Sequence, residues 1–319
     1  MDVSICIVTY ERPDDLQRLL RSLGRQTVLP EQIVIVDDSD TGETEAVVSA
    51  WQSENEIPVE YVHRPDGDSR IQARNVAYQK ASGEVVTFLD DDVECPREYV
   101  AKLKTTWERH SEAFAIGGPA IFVDDEGETA VDINTSSENL NWINKYGEQR
   151  SSEGVWRPPE PVATDQLVGA NMSIRSGVLD RLGGFNDIYL GSAMYEETDL
   201  MARIRRRGGT IIYDSGLEVK HYETPKAGAE NERKEFYWSG LNAIIFRYVC
   251  FPETFWISLL RLLTVNPGWL YPVWVRIGAA PVKNTAWLWI LKGYVYGLRY
   301  VIQNHDSLPR DTNLSATES

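Results

Sequence analysis

The sequence predicts an α/β protein with a mostly parallel sheet flanked by helices, and three observations support this fold class. Residues 85–89 are apolar or β-branched without alternation, which is typical of a strand buried on both faces of a parallel sheet. Similar short apolar stretches alternate with helical segments from residue 3 onwards. Hydrophobic residues make up 42% of the 319 positions, which is enough for a large core.

The predicted elements follow a βαβαβαβ order up to residue 89. Pro13 favours the first turn of a helix, and Gly83 is a helix stop signal before the last of these strands. This order predicts a parallel sheet with right-handed crossovers. The predicted strands are 3–9, 33–36, 59–62 and 85–89, and the predicted helices are 13 to about 26, 45–52 and 70–81.

Polar residues follow three of these strands, namely Tyr10, the pair Asp37–Asp38 and the cluster Asp90–Asp92. Because ligands of open α/β sheets bind beyond the carboxyl ends of the strands, we expect these residues to converge on one site. Adjacent carboxylates repel each other unless a cation neutralises them, and an oxygen-only cluster suits Mg²⁺ or Mn²⁺. A solvated acidic turn is the alternative, and the buried strand before the cluster favours the cation.

Composition and motifs disfavour several classes of protein. The formal net charge of -16 argues against a nucleic-acid-binding surface and is typical of a solvated acidic face, as in proteins from a high-salt cytoplasm. The three cysteines lie far apart without metal-ligand spacing, which fits a reducing compartment. No basic region precedes the first apolar stretch, so we do not expect a signal peptide. Neither a G-x-G-x-x-G fingerprint nor a P-loop is present, so we expect metal to hold the phosphate groups of a ligand.

Several motifs lie in an order and spacing that resemble glycosyltransferase family 2. They are found at 4–13, 33–39, 73–84 and 88–92, the last similar to the D-x-D motif, and then at 169–174, 182–185 and 195–200. Members are inverting, nucleotide-sugar-dependent enzymes of the GT-A fold, which is a Rossmann-like nucleotide-binding sheet flanked by helices. The resemblance covers roughly residues 3–222. It implies a catalytic domain at 1–225, with a nucleotide-sugar half at 1–123 and an acceptor half at 124–225, followed by a helical, aromatic-rich extension at 226–305 and a disordered tail at 306–319.

The resemblance assigns donor-binding roles to residues at the strand ends. Asp38 is expected to accept a hydrogen bond from the nucleotide base, while Tyr10 and Arg70 hold the nucleoside. The implied cofactor is a divalent cation, Mg²⁺ or Mn²⁺. Its expected ligands are Asp92 and Asp90, with Asp90 and Asp91 sharing the ribose and metal contacts and His221 as a metal or diphosphate ligand.

The resemblance also suggests the catalytic base. The family usually has Glu-Asp where this chain has Glu196-Glu197, and its base is usually the second residue, so Glu197 is the candidate. The substitution leaves Glu196 and Asp199 open as alternatives. Acidic residues in the first turn of a helix are also explained by the helix dipole alone.

These assignments imply an inverting hexosyltransferase that moves a sugar from a nucleoside-diphosphate sugar to a hydroxyl of an acceptor glycan. Family members with similar C-terminal regions extend glycans on polyprenyl or dolichol lipids, so the resemblance implies a lipid-linked acceptor in glycan or protein N-glycosylation assembly. A polyprenyl-phosphate monosaccharide synthase is an alternative, and its already ionised acceptor would need no base. A non-catalytic nucleotide-sugar-binding module is another. A nucleotidyltransferase is disfavoured because residues 9–13 contain no glycine.

Residues 236–303 differ in composition from the rest of the chain. They contain six basic residues against one acid and six of the ten tryptophans. Charged residues and a proline interrupt every window long enough to span a bilayer. Aromatic rings and basic side chains on amphipathic helices suit a membrane interface. Packing on the core or a dimer contact are alternatives. Because family members with similar C-terminal regions extend lipid-linked glycans, the resemblance implies that residues 253–303 bind the cytoplasmic face of the cell membrane peripherally.

Overall fold

A computed structural model describes residues 1–67, 69–124, 126–127, 129, 134–152, 156–222, 229–264 and 286–309. The chain forms two compact units. The N-terminal unit comprises Met1–Trp142, Arg150–Phe185 and Ile204–Thr224, and the C-terminal unit comprises Ile143–Gln149, Asn186–Arg203 and Pro225–Ser319. The C-terminal unit therefore includes two segments that lie within the predicted catalytic domain 1–225.

The N-terminal unit is built on an eight-stranded, mostly parallel sheet, which confirms the predicted fold class. Along the chain, the elements are β1 (Val3–Thr9), α1 (Pro13–Leu23), β2 (Gln32–Asp37), α2 (Glu43–Glu54), β3 (Val59–His63), α3 (Arg70–Lys80), β4 (Val85–Asp90), β5 (Val93–Glu94), α4 (Tyr99–Arg109), β6 (Ala113–Gly117), β7 (Ala120–Val123), β8 (Trp142–Ile143), β9 (Gln149–Arg150), β10 (Val162–Ala163), β11 (Asn171–Arg175), α5 (Ser176–Leu182), α6 (Glu196–Arg206), β12 (Thr210–Tyr213) and β13 (Val219–Tyr222). The strand order is β10-β12-β6-β11-β4-β1-β2-β3. β1 is parallel to both of its neighbours, and β11 is antiparallel to β4 and β6.

A second, three-stranded sheet has the order β5-β13-β7. In its register, His221 of β13 lies opposite Val93 of β5, and the backbone N–H of Tyr222 donates to the carbonyl oxygen of Asp92 at 2.9 Å. This pairing brings a strand from late in the chain beside the acidic cluster that follows β4.

The end of α1 differs from the prediction, because the helix stops at Leu23 and not near Gln26. The buried Gln26 side chain donates to the carbonyl oxygens of Ser22 at 3.1 Å and Pro96 at 2.8 Å. It also accepts from the backbone N–H of Val100 at 3.0 Å. The Gln26 side chain therefore connects the end of α1 to the start of α4, and Gln26 itself lies beyond the end of the helix.

Trp156 is fully buried. Its ring stacks on Tyr213 with centroids 4.8 Å apart, and its indole N–H donates to the carbonyl oxygen of Ser136 at 2.6 Å. Trp142 is half-buried. In the predicted acceptor half 124–225, residues 125, 128, 130–133, 153–155 and 223–225 lie outside the described residues.

The C-terminal unit contains the predicted helices, α7 (Ala229–Cys250), α8 (Phe255–Thr264) and α9 (Ala286–Gln303). Glycines allow α7 and α9 to pack closely. A Cβ on Gly293 would lie 2.8 Å from the backbone nitrogen of Leu241 and closer still to the carbonyl oxygen of Tyr237. A Cβ on Gly297 would lie 2.7 Å from the carbonyl oxygen of Leu241, so backbone atoms fill the space that side chains would need.

Parts of the predicted extension and of the predicted tail are not described, including residues 226–228. Residues 265–285, with Trp269 and Trp274, lie outside the described residues, as do residues 310–319 of the predicted disordered tail. Among the helices that the structure describes, none is both long and apolar enough to cross a bilayer.

The close packing of α7 and α9 predicts how one substitution changes the stability of the protein. We expect Gly293→Ala to lower the free energy of unfolding by about 1–3 kcal/mol, because backbone atoms cannot yield to the new methyl group as a flexible side chain would. Thermal melting followed by circular dichroism measures this change.

Gly177→Ala in α5 is the matched control, because its Cβ would meet only the end of the Arg181 side chain at 3.7 Å. Alanine is the better helix former, so this variant should melt at or above the wild-type temperature. Equal melting of both variants would contradict the close packing at Gly293.

Candidate active site

A cavity of about 480 Å³ lies at the carboxyl ends of β1, β2 and β4. Its volume is within the range typical of small-molecule sites. The lining includes all five residues predicted to bind the nucleotide sugar, namely Tyr10, Asp38, Arg70, Asp90 and Asp91. The structure therefore brings together residues that are far apart in the sequence, at the sheet edge where they were expected.

Asp38 and its neighbour Asp37 have different surroundings. Asp38 lies 3.1 Å from the Nε atom of Arg64, whereas the fully buried Asp37 accepts from the Tyr61 hydroxyl at 2.6 Å and from the Ser39 N–H at 2.9 Å. Burial, together with the Asp37 charge, raises the pKa of Tyr61 above its usual value. Asp37 thus braces the end of β2, and Asp38 is the member of the pair that lines the cavity.

Tyr10 and Arg70 both line the cavity. The Tyr10 side chain is 58% exposed, so its ring is available to a ligand. Arg70 is the first residue of α3 and is exposed, and the hydroxyl of the preceding Ser69 caps the helix by accepting from the N–H of Gln72 at 3.3 Å.

The Asp90 carboxylate pairs with Arg74, whose Nη2 atom lies 2.9 Å from Oδ1. The Arg74 side chain is only 3% exposed and also donates to the carbonyl oxygen of Gly169 at 3.4 Å. Burial opposes ionisation of Asp90, but the charges of Arg74 and Arg70 outweigh it and hold the pKa below its usual value. Asp90 is therefore a carboxylate at neutral pH.

Asp91 is buried and accepts from the Thr9 hydroxyl at 2.7 Å and from Nη1 of Arg12 at 3.2 Å. Burial and the charges of Asp92 and Asp90 raise its pKa to about 7, although Arg12 and Thr9 act in the opposite direction. A nearby divalent cation would reverse this effect, since its charge favours the ionised form. Two protein donors thus engage the carboxylate that the resemblance assigns to ribose and metal contacts.

Asp90, Asp92 and His221 form a group that could hold a metal ion, with one ligand atom of each within 4.8 Å of the others. Asp92 Oδ1 is buried, lies 2.9 Å from His221 Nε2 and accepts no well-formed hydrogen bond from the described residues. The His221 ring stacks on Phe122 with centroids 4.9 Å apart, which holds its orientation. Two carboxylates and one imidazole are suitable ligands for a divalent cation, and the buried Oδ1 atom of Asp92 would gain a partner by binding it.

Sequence reasoning missed Arg12, Arg64 and Arg74, which neutralise the carboxylates of this site. Two of them carried a usable signal. Arg12 follows β1 at the edge where the other ligands were expected, and Arg74 lies one helical turn after Arg70. No pattern in the sequence indicates that Arg64 pairs with Asp38.

The three candidate bases lie in the first turn of α6. Asp199 is fully buried, and both of its oxygens are engaged. It accepts from Arg203 Nε at 2.6 Å, the Tyr189 hydroxyl at 2.8 Å, Asn186 Nδ2 at 2.9 Å and Cys250 Sγ at 3.1 Å. This carboxylate therefore joins three parts of the C-terminal unit.

Glu196 and Glu197 differ in exposure, because Glu196 is fully buried and Glu197 is half-buried. The turn that precedes them is strained. Ala193 has a φ of 56° and Tyr195 a φ of 81°. Both values lie in the left-handed region, which residues other than glycine rarely adopt. Such strain costs on the order of 1–3 kcal/mol for each residue and is typical of functional sites.

Comparison with known proteins identifies the family. The family model for glycosyl transferase family 2 matches residues 4–168. The succinoglycan biosynthesis protein ExoM of Rhizobium meliloti is 29% identical over 217 residues, which are 67% of this chain and 63% of that protein. The glucosyl-dolichyl phosphate glucuronosyltransferase of Haloferax volcanii is 25% identical over 230 residues, which are 69% of each protein. The uncharacterised glycosyltransferase YwdF of Bacillus subtilis is 37% identical over 92 residues, so the chain spans between a third and about two thirds of the length of these relatives.

Solved structures show the same fold. The mannosyltransferase PcManGT of Pyrobaculum calidifontis, in complex with GDP-Man and Mn²⁺, matches with a TM-score of 0.57 and 14% identity over 93% of this chain and 86% of that one. GalNAc-T7 with UDP, GalNAc and Mn²⁺ matches with a TM-score of 0.61 and 16% identity over 98% of this chain and 59% of that one. The GT-A fold and the resemblance seen in the sequence are both confirmed. The chain belongs to glycosyl transferase family 2.

Proposed function

We propose that this protein is an inverting glycosyltransferase that moves a sugar from a nucleoside-diphosphate sugar to a hydroxyl of an acceptor glycan. One observation carries the proposal. A cavity lined by the five predicted donor-binding residues lies beside the group Asp90, Asp92 and His221 that could hold a divalent cation. A nucleoside-diphosphate sugar suits this arrangement, because its nucleoside can occupy the cavity while its diphosphate lies at the cation.

Each part of the donor has a suitable partner in the N-terminal unit. The exposed ring of Tyr10 can contact the base, Asp38 can accept a hydrogen bond from it, and the Arg70 guanidinium adds positive charge at the cavity. Asp90, Asp92 and His221 would hold Mg²⁺ or Mn²⁺, which stabilises the negative charge that develops on the departing diphosphate.

Glu197 is the residue that we assign as base for the acceptor hydroxyl. A base needs a carboxylate within hydrogen-bond reach of its proton donor, and the buried Asp199 is already engaged by four donors. Glu196 is also fully buried, so the half-buried Glu197 is the least buried of the three acids in this turn. Direct displacement assisted by one base inverts the anomeric carbon and forms no covalent sugar-enzyme intermediate.

The acceptor that we propose is a lipid-linked saccharide. The Haloferax volcanii relative carries a lipid, dolichyl phosphate, in its name, which supports an acceptor of this class. A polyprenyl-phosphate monosaccharide synthase is the second candidate, and the requirement for Glu197 distinguishes the two because a phosphate acceptor is already ionised.

Two helices of the C-terminal unit, α8 and α9, each expose side chains that suit an anionic membrane. Three adjacent side chains of α8 are exposed, led by Trp256 at 71%. On α9, exposed apolar residues recur at heptad spacing. Neither helix contains an acid, although the chain carries a net charge of -16. The exposed apolar residues are Trp256, Ile257 and Leu260 on α8 and Leu288, Leu291, Val295 and Ile302 on α9, and the basic residues are Arg261, Lys292 and Arg299. We therefore propose peripheral binding at the cytoplasmic face of the membrane.

The first prediction tests the function and its metal. In assays with a panel of UDP-, GDP- and dTDP-linked sugars, we expect one donor to be consumed only when Mg²⁺ or Mn²⁺ is present. Asp92→Asn should lower kcat by more than about a hundredfold, because it removes a charge that holds the cation. Asp180→Asn, at an exposed position of α5, is the control and should leave kcat unchanged.

Two results would contradict this prediction. Full turnover in the presence of EDTA would exclude the metal role of Asp92. Binding of a nucleotide sugar in calorimetry without its consumption, with any acceptor offered, would instead favour a non-catalytic binding module.

The second prediction separates the base from the structural acid of α6. Glu197→Gln should lower kcat by about 10²- to 10⁴-fold with little change in donor affinity or melting temperature, because only the proton acceptor is lost. Asp199→Asn should instead lower the free energy of unfolding by about 3–5 kcal/mol, because it leaves the buried Arg203 without its ionic partner. Kinetics and thermal melting on both variants provide the test.

The opposite pattern would reverse the assignment. If Asp199→Asn melts like the wild type but is inactive while Glu197→Gln is active, Asp199 is the base. If both are active on a polyprenyl phosphate, the acceptor is the phosphate itself.

The third prediction tests the membrane surface. The wild type should float with phosphatidylglycerol vesicles at low salt, and the double variant Trp256→Ser and Leu260→Ser should not, because it removes the most exposed apolar side chains of α8. The control is Val28→Ser with Leu29→Ser, which removes exposed apolar side chains from the N-terminal unit. A wild-type protein that stays at the bottom of the gradient at every salt concentration contradicts membrane binding, and a dimer in light scattering would then assign the surface to a second copy.

A further inference from the structure

Arg12 lies between β1 and α1 on a loop whose backbone is held from two sides. The preceding Glu11 has a φ of 51°, its N–H donates to the Ser39 hydroxyl at 2.8 Å, and its carboxylate accepts from the N–H of Asp40 at 2.8 Å. On the other side, the Arg12 carbonyl oxygen accepts from the N–H of Leu16 at 3.1 Å in the first turn of α1. The side chain of Arg12 therefore extends from a fixed point.

The Arg12 guanidinium bridges two successive carboxylates. Its Nη1 atom lies 3.2 Å from Asp91 Oδ1 and 2.9 Å from Asp92 Oδ2. The second oxygen of Asp92, Oδ1, faces the opposite partner, His221 Nε2, at 2.9 Å. The two oxygens of one buried carboxylate thus have different neighbours, one a fixed cation and the other a candidate metal ligand.

We propose that Arg12 is a positioning residue that leaves Asp92 a single oxygen for the metal and thereby selects Mg²⁺ or Mn²⁺ over Ca²⁺. Ca²⁺ takes about six to eight oxygen ligands and often both oxygens of one carboxylate, whereas Mg²⁺ requires a tight octahedral arrangement of single oxygens. With Oδ2 hydrogen-bonded to Arg12, which also brings a positive charge to that oxygen, binding of a metal through both oxygens of Asp92 is disfavoured. The inference rests on the metal group of the proposed function.

A simpler role for Arg12 makes a different prediction. If the guanidinium acted only as a counter-charge to the acidic cluster, its removal would strengthen the binding of every divalent cation to a similar extent. The ratio of the Ca²⁺ and Mn²⁺ dissociation constants would then stay the same. That ratio, and not either affinity alone, distinguishes positioning from charge balance.

The experiment is calorimetric titration of the full chain with MnCl₂ and with CaCl₂ in the absence of nucleotide. We expect Arg12→Met to lower the ratio of Kd for Ca²⁺ to Kd for Mn²⁺ by about tenfold, because Asp92 can then offer both oxygens. Arg12→Lys, which can still donate to Oδ2, should keep the ratio within about threefold of the wild type. Arg21→Met removes an exposed arginine of α1 and should leave the ratio unchanged.

The outcomes separate this inference from the metal site itself. A wild-type protein that binds neither ion refutes the metal group and the proposed metal dependence. A wild type that binds Mn²⁺, together with a folded Arg12→Met variant of unchanged ratio, refutes only the selectivity role of Arg12. A folded Arg12→Met variant that binds neither ion also refutes the selectivity role of Arg12, because that role requires a metal site that persists without the arginine.

Discussion

The site depends on the repulsion among three successive carboxylates at the end of β4. Each of these acids loses hydration on burial and lies beside a like charge, so each needs a positive partner nearby. Arg74 supplies one for Asp90 at 2.9 Å, and Arg12 supplies one for Asp91 at 3.2 Å and for Asp92 at 2.9 Å. Arg70 adds positive charge near Asp90, but Asp91 still feels the like charges of Asp92 and Asp90, and a divalent cation would relieve that repulsion.

The fold meets this requirement by bringing three distant parts of the chain to one strand end. β4 lies between β1 and β11, so the loop after β1 reaches the cluster directly and carries Arg12. Helix α3, which precedes β4, presents Arg74 from its buried face. The pairing of β13 with β5 then places His221 beside Asp92. In the unfolded chain water solvates and screens these three acids, so their charge becomes costly only on folding, and the side chains that offset this cost in the folded protein also shape the site.

Two features organise the C-terminal unit, namely the hydrogen bonds of the buried Asp199 and the close approach of α7 and α9. Asp199 gathers donors from the segment before α6, from α6 itself and from α7, so it anchors the helix whose first turn carries Glu197. Gly293 and Gly297 let α9 approach the backbone of α7. Burial of the ion pair between Asp199 and Arg203 restricts the arrangement, because separating either partner would leave an uncompensated charge. An unusual turn with two residues in the left-handed region precedes this anchored helix.

The sequence by itself determined the order of elements, the parallel sheet and the edge at which Tyr10, Asp38 and Asp90 meet. These follow from local patterns: buried strands read as unbroken apolar runs, and parallel strands end at the same edge. Only the tertiary structure decided which cation neutralises which acid, because Arg12, Arg64 and Arg74 pair through space and no spacing rule encodes those contacts. It likewise distinguished the saturated Asp199 from the half-buried Glu197, two residues apart in one helical turn, since burial depends on what packs against each side chain and not on the acid itself.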